Sequence, residues 1–322
     1  MLRRVYIIVA AIFAALVAIG RLLFPRWEKI DWARAPGPGK LIDIDRVRLH
    51  YVEAGGGEAV VMIHGLGGHT FSFRYTIPAL AKRFRVVAVD LKGFGFSERP
   101  KGGDYSLTEQ ARLMLRLMDE LGIEHATVVG HSLGGEVAMR VAAAAPERVD
   151  ALVLAASVSG ERVWTLPPTP LFKPFLAILG RLFGRRLFRR MFYDPRNATE
   201  EAREAYATPT RVRGYGDALY ELAKDARHDK RVDYGNIRAP VLILWAEGER
   251  ILPRFVLGRL KKRFPQAQVV TIEKAGHLLL EERPQECNEA MLRFLTSGRD
   301  EVPEAAEPID RAAGSTRRLA GS

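Results

Sequence analysis

The chain has 322 residues, a formal net charge of +11 and 48% hydrophobic residues. That length suits one large α/β domain with an insertion, or two small domains, and the hydrophobic share can bury a substantial core. The single cysteine, Cys287, excludes an intramolecular disulfide, and no CxxC or HExxH spacing marks a metal site, so neither metal nor cofactor is expected.

At the N-terminus, Met1-Leu2-Arg3-Arg4 precedes an uncharged run from Val5 to Gly20. Counted on to Phe24, with the Arg21 head group able to reach outward, the run approaches the roughly 20 residues that span a bilayer. A single-pass anchor over 1–24 is therefore expected, which would place the protein at a membrane. A cleaved signal segment, with Ala18-Ile19-Gly20 as its small-x-small site, is the alternative. Arginines flank both ends of the run, so orientation is not set. Residues 25–40, ending in Pro36-Gly37-Pro38-Gly39, read as a linker.

Leu41 to Ala54 alternates and reads as an antiparallel hairpin. Short apolar runs follow at Ala59–Ile63, Val86–Val89, Thr127–Val129, Leu152–Ala155, Val241–Trp245 and Val269–Ile272. Their length and β-branched content predict buried parallel strands. The stretch Leu107–Leu121 is predicted helical, opened by the capping-box pattern Ser106-Leu107-Thr108-Glu109. This alternation predicts an α/β fold with a mostly parallel central sheet, built from residues 41–158 and 239–297.

Residues 159–238 break the rhythm and are too many for an ordinary connection. Periodic apolar residues there, among them Phe172, Phe175, Leu176, Leu179, Leu182, Phe183, Leu187 and Phe188, predict a helical cap over the C-terminal edge of the sheet. Between Leu171 and Tyr193 lie Lys173, Arg181, Arg185, Arg186, Arg189 and Arg190 with no acid. Such a stretch suits an anionic membrane surface at least as well as nucleic acid, and a solvated face is the plain alternative. Nucleic acid is not expected as a partner. Trp164, Pro167–Pro170 and Phe172 are candidates for a pocket wall or for plain core packing. Residues 298–322 turn polar and read as a disordered tail.

The most informative stretch is Gly130-His131-Ser132-Leu133-Gly134-Gly135, which follows the predicted strand Ala126–Val129 and opens a predicted helix from Ser132 to Ala145. A chance G-x-S-x-G arises in roughly one chain in ten of this length; the strand before and the helix after give this one its weight. A sharp strand-to-helix turn lifts the serine hydroxyl out of the sheet beside a helix N-terminus, which favours developing negative charge. A serine hydroxyl needs a base, a group that orients the base, and donors for the oxyanion. Of the seven histidines, His277 is the expected base, since Lys274-Ala275-Gly276-His277 follows the last predicted strand. His131 and His64 are expected to be structural, the latter shaping the loop His64-Gly65-Leu66-Gly67-Gly68. Glu249, in the turn after Val241–Trp245, is the expected acid, with Glu247 or an acid elsewhere in the chain as the alternatives. The backbone N–H groups of Leu133 and Leu66 are the expected oxyanion donors. Asp90 reads as a structural residue at a strand end, because Asp90 to Ser97 lacks the full glycine pattern of a phosphate loop.

From Leu41 to about Leu295 these motifs resemble the cap-bearing α/β-hydrolase superfamily, of the esterase, monoacylglycerol lipase and C–C hydrolase type. The resemblance rests on His64 through Gly68, on Asp90 through Ser97 with Arg99-Pro100, on Gly130 through Gly135, on Val241 through Pro253, and on Gly276-His277. It implies an α/β-hydrolase fold with helices on both faces of the sheet, Ser132 as nucleophile, His277 as base and Glu249 at the acid position. The superfamily usually carries aspartate at that position and glycine at the place of Ala246. A serine nucleophile sets the chain apart from the epoxide hydrolases and haloalkane dehalogenases of the same superfamily.

The expected function is a membrane-anchored serine hydrolase of carboxylic esters, with a small-molecule ester or a lipid as substrate and a membrane contacted through the N-terminal segment and the basic cap. A C–C bond hydrolase of meta-cleavage type with the same three residues is one alternative. A non-catalytic binding protein on the same fold is the other.

Overall fold

The computed structural model describes residues 28–35, 37–160 and 184–296. Eight strands form one sheet: β1 (Lys40–Ile44), β2 (Val47–Ala54), β3 (Ala59–Ile63), β4 (Arg85–Val89), β5 (Ala126–His131), β6 (Val149–Ala155), β7 (Val241–Ala246) and β8 (Gln268–Ile272). Their spatial order is β1-β2-β4-β3-β5-β6-β7-β8. The β1–β2 and β2–β4 pairings are antiparallel and the others parallel.

The parallel strands owe their apolar runs to burial on both faces. Side chains alternate along each strand. Val60, Met62, Val129, Val153 and Leu244 pack on one face with Phe73, Cys287 and Met291. Val61, Ile63, Val128, Leu152 and Ile243 pack on the other with Leu113, Leu117, Val137 and Val141. The helices that supply these partners are α1 (Leu107–Glu120) and α2 (Leu133–Ala144) on one side and the helix Pro284–Thr296 on the other. The Ser106 hydroxyl caps α1 by accepting from the Glu109 amide at 3.1 Å.

Of the expected cap, residues 184–238 are described. They hold a helical turn over 184–190, then α3 (Glu200–Ala207) and α4 (Tyr215–His228). Residues 161–183, which carry the proposed pocket residues Trp164 and Phe172 and two of the six basic residues, lie outside the described residues. So does the expected tail over 298–322. Residues 28–35, read as linker from composition, are docked. Glu28 accepts from the amides of Gly214 and Gly216, each at 2.8 Å, and the Trp32 indole donates to the Phe96 carbonyl at 2.9 Å.

The membrane localisation expected from residues 1–24 does not stand. No helix among the described residues is long and apolar enough to cross a membrane, and residues 1–24 themselves lie outside the described set. A span needs about 20 apolar residues, whereas α1 and α4 have 14 residues each and one buried face. Among the described residues no spanning element supports membrane contact through the N-terminal segment or the basic cap.

One buried ion pair fixes the sheet edge. Asp90, directly after β4, is fully buried and accepts from the amides of Thr70 (2.6 Å) and Phe96 (2.7 Å) and from His50 Nδ1 (2.8 Å). His50 Nε2 lies 2.7 Å from the Pro38 carbonyl. Both histidine partners are acceptors only, so His50 carries both protons and is an imidazolium. Burial works against each charge. The His50 cation nevertheless holds Asp90 down to about 2, and Asp90 holds His50 above its ordinary value. The Asp90 contribution to stability is present above about pH 4 and lost as the pH falls through its folded value. The His50 contribution is complete below about 6.5 and lost as the pH rises through its raised folded value. Removing one partner of a buried pair costs about 3 kcal/mol or more. Urea unfolding of Asp90→Asn across pH 3 to 9 is expected to show that loss at pH 5 to 6, shrinking toward both ends. A uniform loss at every pH would contradict the pair.

Candidate active site

Ser132, Glu249, His277 and the Leu66 loop all follow the C-terminal ends of parallel strands, which gathers them at one edge of the sheet. Ser132 sits between β5 and α2 with φ 54° and ψ −118°, at the N-cap of that helix. A non-glycine residue there stores strain of roughly 1–3 kcal/mol. The turn also demands bare neighbours. A Cβ on Gly130 would stand 2.4 Å from the Gly134 carbonyl oxygen, and one on Gly134 would stand 2.2 Å from that of Ile63.

His277 Nε2 lies 3.0 Å from Ser132 Oγ, and His277 Nδ1 lies 2.8 Å from Glu249 Oε2. The carboxylate accepts from Nδ1–H, which leaves Nε2 free to take the serine proton. Glu249 Oε1 accepts from the amides of Ile251 (2.7 Å) and Leu252 (3.0 Å). The extra methylene of glutamate is thus absorbed by folding its carboxylate back onto its own turn. Burial opposes ionisation of Glu249, but the His277 hydrogen bond and charge and the two amides hold its carboxyl below the usual range. Glu247 points elsewhere, accepting from the Lys274 amide at 2.8 Å.

The other histidines of the site are neutral by geometry. His131 Nε2–H donates to the His277 carbonyl at 2.9 Å, and burial, then His277, push its ring down to about 3. His64 Nδ1–H donates to the Gly65 carbonyl at 2.7 Å, while its Nε2 accepts from the Leu91 amide at 3.0 Å. His64 therefore ties the Gly-rich loop to the end of β4. Among the described residues, neither the Leu66 nor the Leu133 amide has a hydrogen-bond partner, so both are available to a ligand oxygen. A cavity of about 210 Å³ opens beside Ser132 and His277, walled by Leu66, Leu187, Phe188, Met191 and Leu278, with His131, Ser72 and Tyr206 as further polar side chains. Arg185, Arg186, Arg189 and Arg190 are exposed to solvent and are not part of its lining. Among the described residues no cluster of three or more His, Cys, Asp or Glu side chains could hold a metal ion.

Sequence reasoning missed Glu282. It ends the single helical turn Leu279–Glu282 that follows His277, and it is 9% exposed. Its carboxylate accepts four N–H groups: Gly276 and Tyr193 amides at 2.8 Å, the Asp194 amide at 2.9 Å and Asn197 Nδ2 at 2.9 Å. One buried carboxylate thus clamps the base loop to the segment 191–197. That segment runs so close that a Cβ on Gly276 would stand 2.5 Å from the Met191 carbonyl oxygen. No local pattern marks Glu282, because its partners come from up to 89 residues away. Glu282→Gln puts an NH₂ group against N–H donors. Its kcat as a hydrolase is expected to fall by up to about 10²-fold, as small misplacements of a reacting group do. An unchanged kcat at a temperature where both proteins are folded would remove the clamp from the account.

Comparison with known proteins identifies the family of the chain. A model of the Alpha/beta hydrolase family matches residues 60–290. The chain is similar to the dihydrolipoyllysine-residue acetyltransferase component of an acetoin cleaving system from Pseudomonas putida, at 33% identity over 275 residues, covering 82% of this chain and 71% of that protein. It is also similar to haloalkane dehalogenase 2 of Mycobacterium tuberculosis, at 30% identity over 80% of this chain and 94% of that one. The solved meta-cleavage product hydrolase from Pseudomonas fluorescens IP01 has a TM-score of 0.68 at 26% identity, over 80% of this chain and 97% of that one. The matched range contains the strand, the serine turn, the Glu249 turn and the His277 loop, and the chain belongs to the alpha/beta hydrolase family and is a hydrolase.

Proposed function

We propose that the protein hydrolyses carboxylic esters through Ser132, His277 and Glu249. The observation that carries this reading is the continuous hydrogen-bonded line from Ser132 Oγ through both ring nitrogens of His277 to Glu249. Ser132 Oγ attacks the ester carbonyl as its proton passes to His277 Nε2, and Glu249 stabilises the imidazolium. The carbonyl oxygen becomes an oxyanion held by the Leu66 and Leu133 amides, with the N-terminus of α2 beneath it. Collapse expels the alcohol, which takes the proton from His277 and leaves an acyl-serine. Water, deprotonated by His277, attacks the acyl carbonyl and releases the acid and the serine.

The cavity wall favours a neutral substrate over an anionic dienoic ketoacid. Among the described residues its lining holds aliphatic and aromatic side chains and no lysine or arginine. Among the described residues a carboxylate buried there would find no cationic partner to offset its desolvation penalty. Haloalkane dehalogenation is not supported either, since the residue at the turn is a serine. The intact hydrogen-bonded line likewise speaks against a purely binding role.

p-Nitrophenyl esters from acetate to palmitate are expected to be turned over, with the length optimum defining the acyl site. Ser132→Ala should lower kcat by at least about 10⁴-fold. Glu249→Gln should lower it by roughly 10³–10⁴-fold, while Glu247→Gln stays near the wild-type rate. Folded protein that cleaves a 2-hydroxy-6-oxo-dienoate but none of these esters would overturn the ester reading in favour of C–C cleavage.

A further inference from the structure

Ser72 and Tyr206 form a second polar surface in the cavity that holds Ser132. Ser72 lies in the 3-10 turn Thr70–Phe73, just past the Gly-rich loop, and Tyr206 lies on α3. The Tyr206 oxygen is 2.9 Å from Glu281 Oε2 and 3.2 Å from Ser72 Oγ. A phenol has one proton to give. Glu281 is ion-paired with Arg74 at 2.8 Å and its side chain is 5% exposed, so it is a carboxylate that can only accept. The phenol proton therefore goes to Glu281, where the bond is shorter and charge-assisted. The contact between Ser72 and Tyr206 must then be made by the serine proton, given to a lone pair of the phenol. That leaves Ser72 Oγ with lone pairs and no proton to offer. Among the described residues, Tyr206 is its one side-chain partner.

We propose that Ser72 is the acceptor for a hydroxyl or N–H carried by the substrate, so that the substrate class is an ester bearing a hydrogen-bond donor rather than a plain alkyl ester. The inference rests on the ester-hydrolase reading. The relay Arg74–Glu281–Tyr206–Ser72 sets the polarity of the site, because each member fixes the proton of the next. A donor on the acyl chain and a donor on the alcohol satisfy the same chemistry. A substrate lacking the donor would desolvate the Ser72 lone pairs without replacing their water, which is how such sites discriminate.

Two matched pairs test this: ethyl 3-hydroxyoctanoate against ethyl octanoate, and glycerol monooctanoate against propyl octanoate. kcat/KM is measured for the wild type, Ser72→Ala and Tyr206→Phe. One pair is expected to show a preference of about tenfold for the hydroxyl-bearing ester, and which pair does so locates the donor on the acyl or the alcohol side. Ser72→Ala should bring that ratio to about one. In Tyr206→Phe the serine proton loses its acceptor and turns to the cavity, so ethyl 3-oxooctanoate should gain on its 3-hydroxy partner. Ratios near one in the wild type for both pairs, or a preference that survives Ser72→Ala, would overturn the proposal while leaving ester hydrolysis standing. Failure of the wild type to cleave any of these esters would instead remove the ester reading, and this inference with it.

Discussion

The backbone at Ser132 passes from β5 into α2 with φ 54°, a conformation that side chains rarely adopt. Such a residue persists only where its surroundings over-determine it. Here the Ser132 amide donates to the Ala155 carbonyl at 3.0 Å, and the Ser132 carbonyl accepts from Gly135 at 3.1 Å and Val158 at 3.3 Å. The bare faces of Gly130 and Gly134 let the first turn of α2 press against the end of β3. That contact brings the Leu66 loop beside the serine. It also sets the Ser132 hydroxyl above the sheet, within reach of a histidine from the far end of β8. The strain is small beside the hydrophobic packing of both sheet faces, which is why a sheet of this size can hold it.

Around this turn, beside the bonds of His64 and His131, three carboxylates make polar joints between distant segments. Asp90 joins the edge strands and the Gly-rich loop through His50, Thr70 and Phe96. Glu282 joins the His277 loop to the segment 191–197, and Glu281 joins Arg74 to Tyr206 on α3. Two successive acids after His277 thus reach two separate parts of the insertion. The base loop and the walls of the cavity are connected by charge-assisted hydrogen bonds rather than by apolar contact alone. The family resemblance extends to proteins named for dehalogenation, epoxide opening and C–C cleavage, so the fold does not choose among chemistries. The proposal of ester hydrolysis rests instead on the serine at the turn and on the apolar cavity wall beside it.

The parallel sheet was legible because its strands are buried on both faces and so read as short β-branched runs. The serine turn was legible because its demands are local: two bare glycines within two residues of Ser132, a strand before and a helix after. Ser132, Glu249 and His277 were nominated by their place after predicted strands, and the structure brings those three side chains together. What escaped the sequence was long-range. Ser72 meets Tyr206 across 134 residues and Glu282 meets Tyr193 across 89, and no periodicity reports such pairs. Residues 28–35 looked like a linker because proline and glycine nearby report backbone freedom, not the Glu28 and Trp32 hydrogen bonds that dock the segment. The expected membrane span rested on hydropathy in residues 1–24 and met no counterpart among the described helices.

Ester hydrolysis by this route requires the Ser132 oxygen to become covalently acylated. Rapid mixing of the protein with p-nitrophenyl butyrate, acid quench within the first turnover and peptide mass spectrometry test it directly. The expected result is a gain of one butyryl group on the peptide containing Ser132, formed in step with a burst of nitrophenol. An acyl group on another residue, or nitrophenol release that continues undiminished in Ser132→Ala, would overturn it.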